Sequence, residues 1–203
     1  MTLNRQQNVF NMYYVNPKSG VSRLILRDEN KCYVDSEWLT SIHFNPSGFT
    51  YVSEQDGYSH IYLYSPTGVM QRQVTKGNWD VTRLIGYDDA TKVVYYESAE
   101  ESPLRRSVYK IDQKGVKTKL SEGEGTNNAD FSANYAYFVN NYSNANTPAV
   151  ITVNETKSKK VLRVLQDNAA LREKLANTSF SKKEFFKVHT ASDIELNAWI
   201  VKP

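Results

Sequence analysis

The sequence predicts an all-β chain, and three observations carry that expectation. Short β-prone runs alternate with turn clusters from residue 9 to residue 165. The 203 residues include 14 Tyr, 8 Phe and 3 Trp, side chains that favour pleated, half-buried surfaces. The runs also recur in a fixed order at near-constant spacing. Tyr51 to Tyr95 is 44 residues and Tyr95 to Tyr137 is 42, while Tyr62 to Tyr109 is 47 and Tyr109 to Ile151 is 42. A repeat of about 40–45 residues made of four short antiparallel strands is the pattern of a β-propeller blade. A plain β-sandwich with evenly spaced hairpins is the competing arrangement. The recurrence of strand and turn types in order, as well as in spacing, favours the propeller.

Element by element, Val9–Val15 and Val21–Leu26 form a hairpin around the turn cluster Asn16–Gly20. The first full copy runs from an inner strand at Thr40–Phe44 through Phe49–Glu54 and Ile61–Tyr64, the turn Pro66–Gly68, and Met70–Thr75. The second has Val81–Ile85, Val93–Ser98, Ser107–Ile111, a turn at Gln113–Gly115 and Val116–Leu120. The third has Ala129–Ser132, Tyr135–Asn140, Ala149–Val153, a turn at Glu155–Lys157 and Val161–Leu165. This divides residues 1–165 into a half blade (1–35) and blades at about 38–77, 80–122 and 128–165. The expected fold is therefore an incomplete β-propeller of about three and a half four-stranded antiparallel blades. Closed propellers need at least about four, so the chain reads as a piece of a larger ring.

The pattern changes over residues 166–203. Asp167 and Asn168 can cap a short helix at Ala169–Ala176, because their side-chain oxygens accept otherwise orphaned N–H bonds. Leu171 and Leu175 share one face of that helix. Glu184–His189 and Ile194–Val201 then form a terminal hairpin around Ala191–Asp193, ending at Lys202-Pro203.

Composition narrows the function classes. With 25 Lys+Arg against 22 Asp+Glu, the net charge of +3 lacks the basic excess of a dedicated nucleic-acid binder. The late basic residues are interrupted by Glu155, Asp167 and Glu184 and read as a solvated face. No apolar run approaches the ~18–20 residues of a membrane helix, and the first eight residues lack the apolar core of a signal peptide. The single Cys32 excludes an internal disulfide or a cysteine-only metal site.

A search for chemistry finds little. There is no G-x-S-x-G elbow, phosphate-binding loop, H-E-x-x-H or C-x-x-C. Gly123-Glu124-Gly125 reads as a flexible turn, and Ser179-Phe180-Ser181-Lys182 matches S-x-x-K without that motif's companions. His43, His60 and His189 are scattered, with structural roles expected for each. Neither Asp88-Asp89 nor Glu100-Glu101 has the setting of a paired-carboxylate site. No catalytic, substrate-binding or metal-binding residue and no cofactor is expected within the chain.

Three segments nevertheless carry a resemblance. Ser53-Glu54-Gln55-Asp56-Gly57-Tyr58-Ser59-His60-Ile61-Tyr62 resembles the S-E-x-D-G-Y-x-H-[IL]-Y stretch of the dipeptidyl peptidase IV family, in the prolyl oligopeptidase group of serine peptidases. Val74-Thr75-Lys76-Gly77-Asn78-Trp79-Asp80-Val81 is similar to its [LI]-T-x-G-x-W-[ED]-V, and Lys160–Leu171 to its L-R-x-L-E-D-N-x-A-L. The three fall in the family's order across residues 53–171. The structural residues they mark are Glu54, Asp56, Gly57, Tyr58, His60, Thr75, Gly77 and Trp79. Gly57 would take positive φ in a turn with Asp56, Tyr58 and His60 would brace the loop end, and Trp79 would wedge between blades.

The resemblance implies the C-terminal half of an eight-bladed propeller, followed by the first strands of a missing α/β-hydrolase domain. It implies that the catalytic serine, aspartate and histidine lie beyond residue 203, and that the glutamates holding a substrate's α-amino group lie upstream of residue 1. In some relatives a longer loop near Trp38–Phe44 carries a substrate-reaching Arg, which is absent here. On this reading the chain is inactive alone. Its parent would be a bacterial, periplasmic serine-type dipeptidyl peptidase that removes N-terminal Xaa-Pro or Xaa-Ala dipeptides, its propeller gating and size-selecting the peptide substrates. The alternatives are a stand-alone propeller-type interaction module without peptidase activity, and another peptidase of the same group with a different preference. Expected partners are peptide substrates through the parent, the missing hydrolase domain, and a second copy of the chain through exposed blade faces. Neither nucleic acid nor a membrane span is expected.

Overall fold

In a computed structural model that describes residues 1–202, the chain is built from successive antiparallel sheets. Sheet 1 holds β1 (Thr2–Leu3), β2 (Val9–Val15) and β3 (Ser22–Glu29). Sheet 2 runs β4 (His43–Asn45), β5 (Gly48–Ser53), β6 (His60–Tyr64), β7 (Met70–Gln73). Sheet 3 runs β8 (Val81–Asp88), β9 (Val93–Ser98), β10 (Ser107–Ile111), β11 (Lys117–Lys119). Sheet 4 runs β12 (Thr126–Phe131), β13 (Tyr137–Asn144), β14 (Thr147–Glu155), β15 (Val161–Gln166). The helix α1 (Ala169–Ala176) and the hairpin β16 (Glu184–His189) and β17 (Glu195–Ile200) follow. This is the expected incomplete propeller, short helix and terminal hairpin.

Each sheet is a simple meander, so every strand pairs with its neighbour in sequence. The first strands stand next to one another, β4 against β8 and β8 against β12, as the inner strands of blades do. Three apolar clusters fill the spaces between consecutive sheets. Phe10, Met12 and Leu26 meet Phe49, Tyr51, Tyr62 and Tyr64 between sheets 1 and 2. Val52 and Ile61 meet Val94, Tyr96 and Tyr109 between sheets 2 and 3. Tyr95 and Val108 meet Ala129 and Phe138 between sheets 3 and 4.

The last hairpin closes over a five-residue span in sheets 1 and 4 and a four-residue span in sheets 2 and 3. Backbone bonds Asn16 N to Val21 O, Ser65 N to Val69 O, Asp112 N to Val116 O and Glu155 N to Lys160 O close the four turns. Three of them place a glycine in the left-handed region, Gly20, Gly68 and Gly115, and the fourth forces Lys159 there at φ 61°.

Several local expectations need correction. Sheet 1 is a three-stranded sheet rather than a bare hairpin, because Thr2 and Leu3 pair with Asn11 and Phe10. The inner strand expected at Thr40–Phe44 begins only at His43. The Asp35 carboxylate accepts the Glu37 N–H and starts a 3-10 turn, Ser36–Thr40, which Ser41 closes by donating its N–H to Trp38 O. The second strand of sheet 4 starts at Tyr137, since Tyr135 adopts φ 54° in the preceding turn and stacks on Tyr95 at 4.5 Å. Asp167 caps α1 by accepting the Ala169 N–H, but Asn168 does not, its amide instead donating to Ala149 O. Gly123 and Gly125 form a packed turn, because a Cβ on either would stand 3.0 Å or less from the Tyr142 ring.

Candidate functional site

The segments 54–60 and 74–81 come together where sheet 2 hands over to sheet 3. The chain leaves β5 at Ser53 and turns through Asp56-Gly57, with Gly57 at φ 98° donating its N–H to Glu54 O at 2.9 Å. The Glu54 carboxylate accepts the Ser59 hydroxyl at 3.1 Å, and the Asp56 carboxylate accepts from the Gln73 amide. These contacts close the loop on itself and onto β7.

His60 then enters the core with no exposed surface. Its Nε2 lies 2.9 Å from Gly77 O, a carbonyl that can only accept, so Nε2 carries the proton. Nδ1 is therefore the acceptor, taking the Thr75 hydroxyl proton at 3.1 Å, while Thr75 Oγ1 itself accepts the Ile61 N–H at 3.0 Å. Every polar atom of the buried ring is satisfied, which is the condition for keeping imidazole in an apolar interior. Trp79 meets His60 edge-on at 4.9 Å and stacks on Tyr96 of sheet 3 at 6.4 Å. Gly77 makes that approach possible, because a Cβ there would stand 2.2 Å from Trp79 Nε1.

Trp79 lies between sheets 2 and 3 and remains half-buried. Tyr58 is 37% exposed, and Ser59 ties the loop end through its bonds to Asp80 and Glu54. Asp80 accepts the Ser59 N–H at 2.9 Å, its carbonyl accepts the Ala99 N–H, and Val81 N–H returns to Ser59 O. Asp80 stands inside a recognisable segment, but nothing in the sequence singles it out as the residue that bridges two sheets.

A second clasp joins sheets 3 and 4. Glu97, 4% exposed, accepts the Ala129 N–H at 2.9 Å and faces Arg83 at 3.4 Å. Arg83 also reaches Asn128 Oδ1 at 3.0 Å and Asp130 Oδ1 at 2.7 Å. Burial pushes the Glu97 carboxyl above the usual carboxylate range, against the Ala129 N–H and the Arg83 charge, which pull it down. The sequence signal for this clasp was one charged residue ending the apolar run Val93–Tyr96. Between sheets 1 and 2, Tyr51 donates to the buried Asp28 carboxylate at 3.0 Å.

The three histidines stay apart. His43 is half-buried, with its pKa lowered by that burial, and His189 lies exposed 3.6 Å from Glu195. Among the described residues no three His, Cys, Asp or Glu side chains are placed to share a metal ion. Among the described residues no helix is long and apolar enough to cross a membrane. The Glu54–Trp79 constellation is a set of satisfied hydrogen bonds and ring contacts. It holds loops in place.

Comparison with known proteins places this architecture. The family model described as the dipeptidyl peptidase IV N-terminal region matches residues 1–149. The chain is 30% identical over 201 residues to dipeptidyl peptidase 4 of Trichophyton rubrum, covering 96% of this chain and 26% of that protein. It is 29% identical to dipeptidyl peptidase 4 of Arthroderma otae, over the same shares of each. The crystal structure of Porphyromonas gingivalis dipeptidyl peptidase 4 superposes with a TM-score of 0.96 at 59% identity, covering 99% of this chain and 29% of that one. A putative dipeptidyl aminopeptidase IV from Bacteroides ovatus shares the fold, with a TM-score of 0.81 at 22% identity over 99% of this chain and 31% of that one. The chain thus spans about a quarter of the length of the curated relatives it matches. It belongs to the dipeptidyl peptidase IV family, and its four successive sheets are a part of that family's N-terminal propeller region.

Proposed function

We propose that this chain is the later part of the propeller of a serine-type dipeptidyl peptidase that releases N-terminal Xaa-Pro or Xaa-Ala dipeptides, and that the propeller gates and size-selects the peptides. The observation that carries the reading is the 59% identity to Porphyromonas gingivalis dipeptidyl peptidase 4 across 99% of this chain. Topology supports the gating role. Strands alternate in direction, so the 54–59 and 99–106 loops and the 74–80 and 120–125 links lie at the same end of the strands, on one face of the propeller. The chain leaves β15 for α1 on that same face. Loops locked by the Glu54–Trp79 bonds would thus rim the passage toward whatever follows. An exported, periplasmic and bacterial setting is part of the same proposal and rests on the family resemblance.

The test is hydrolysis of Gly-Pro and Ala-Ala chromogenic amides by the full protein that contains this sequence. Release from both by the full protein, with none by the 203-residue chain, supports the reading. A full protein that cleaves only internal bonds of longer peptides would sink it in favour of another peptidase of the group. The gating role predicts that loosening the clasp with Trp79→Ala widens the accepted peptide length without changing turnover of the chromogenic amide. An unchanged length limit in a folded variant would count against it.

A further inference from the structure

Each sheet turns one face back to the sheet before it and a forward face to the sheet after it. Between sheets 3 and 4 these faces meet closely where Tyr95 and Val108 pack with Ala129 and Phe138. They part toward the outside. β11 has three residues and β15 has six, so the outer strands of sheet 4 outreach the strand that faces them. The result is a groove of about 330 Å3 between residues 120–123 on one side and β13, β14 and β15 on the other. That volume lies in the range of small-ligand sites. Both walls belong to consecutive sheets of this chain.

The length of the groove follows from strand register. Tyr142 pairs with Val150 at one end and Phe138 with Asn154 at the other. The separation is four residues, about 13 Å of strand. Leu120, Phe138 and Val150 supply apolar walls. The Tyr142 ring closes one end, its hydroxyl already donating to Glu124 O at 3.1 Å and accepting from Asn144. At mid-length the lining is polar and incompletely satisfied. Asn140, 8% exposed, donates its amide N–H to Asn127 Oδ1 at 2.9 Å, while its own Oδ1 accepts nothing. Thr152 stands directly opposite and accepts from the Asn154 amide at 2.9 Å, which leaves its hydroxyl proton to donate. An acceptor and a donor side by side match the N–H and C=O of a peptide unit.

The two ends carry opposite charge. Glu122 lines the groove beside Gly123, which packs against the Tyr142 ring. Lys159 lines it in the turn before Val161, the partner of Asn154. Among the described residues neither side chain makes an ion pair or a hydrogen bond.

We propose that this groove binds a short peptide with both termini free, extended along β14. Its α-amino group meets Glu122 and its α-carboxylate meets Lys159. One internal peptide unit lies between Asn140 and Thr152, and apolar side chains rest on Leu120, Phe138 and Val150. About four residues of extended chain span the distance between the charges. Charge-assisted bonds at both ends select a zwitterion of that length. The inference needs the fold and these side chains, and does not rest on the peptidase reading.

The test is calorimetric titration of the full protein that contains this sequence with the tetrapeptide Gly-Leu-Val-Leu. The same peptide, N-acetylated or C-amidated, is titrated beside it. Glu122→Gln is expected to weaken binding of the free peptide about two- to fivefold and to abolish the effect of acetylation. Lys159→Gln does the same for amidation. Val161→Trp, which fills the groove, weakens binding more than either. An unchanged melting temperature confirms folding, and Lys159→Glu replaces Val161→Trp if that variant fails to fold. Hydrolysis of the chromogenic amides is measured in parallel and keeps its wild-type rate in the Gln variants, so this inference and the peptidase reading fail separately. No binding of the free peptide overturns the inference. So does binding unchanged in the variants, or a capping effect that persists in either matching variant.

Discussion

Sheets 2 and 3 and sheets 1 and 4 are written in the same sequence grammar but live in different surroundings. Every residue of β5 is buried, and so is β9 from Val94 onward, whichever way the side chain points. The equivalent strand of sheet 4, β13, alternates: Phe138 and Asn140 are buried, while Tyr137, Val139 and Asn141 are exposed. β2 in sheet 1 alternates likewise over Val9–Met12. Yet the exposed positions include Tyr137 and Val139 on sheet 4 and Tyr13 and Leu24 on sheet 1, side chains suited to an interface. Burial here is a property of the neighbouring sheet and not of the strand, and the end sheets keep the chemistry of an interior.

The comparison can be broken most forcefully by truncating one side chain in each environment. Tyr96→Ala, removing a ring stacked on both Trp79 and Tyr109, is expected to cost about 3–5 kcal/mol in urea unfolding, against less than about 0.5 kcal/mol for Val139→Ala in the isolated monomer. Equal losses would show that sheet 4 is buried in solution. Trp79→Ala follows at about 2–3 kcal/mol, below the cost of a full core tryptophan because the ring is half-buried. Thr75→Val keeps the shape but removes the partner of His60 Nδ1 and of the Ile61 N–H, for about 1–3 kcal/mol. A neutral result would mean that water replaces the hydroxyl.

The clasp between an inner and an end sheet sharpens the comparison through pH. Burial raises the Glu97 pKa above its unfolded value, so the folded chain holds this proton more tightly than the unfolded one does. The stability from Glu97 is fully present below the unfolded pKa and is lost as pH rises through the folded pKa. The difference in melting temperature between wild type and Glu97→Gln should therefore change across that window. A constant offset would place the carboxylate in water. The smallest effect belongs to the end-sheet turn: Lys159→Gly should raise stability by about 0.5–1 kcal/mol, since only this turn of the four puts a side chain at positive φ. A loss on that substitution would mean that the lysine makes a compensating contact.

Much of this fold was legible before any coordinates. The bounds of β9, β10, α1 and β16 coincide with those read from β-prone runs, capping and turn residues, because local propensity and tertiary packing agree there. They disagree at Thr40–Phe44, where the Asp35 cap turns the backbone before pairing can begin. The named motif residues do converge at the sheet 2–3 junction, yet Tyr58 turned outward and Asp80 did the bridging. The link from the Arg83–Glu97 cross-strand pair to sheet 4 stayed hidden because its partners there are remote, Ala129 lying 32 residues from Glu97 and Asp130 lying 47 from Arg83. No local pattern encodes a contact at that range.

The meander order of every sheet also shapes how the chain comes to exist. Each strand pairs with the one made just before it, so loop-closure entropy is low and contact order is small for an all-β protein. A sheet can assemble as its last strand leaves the ribosome, presenting a finished forward face before the next begins. That order permits folding blade by blade, each completed sheet offering a face on which its successor can pack.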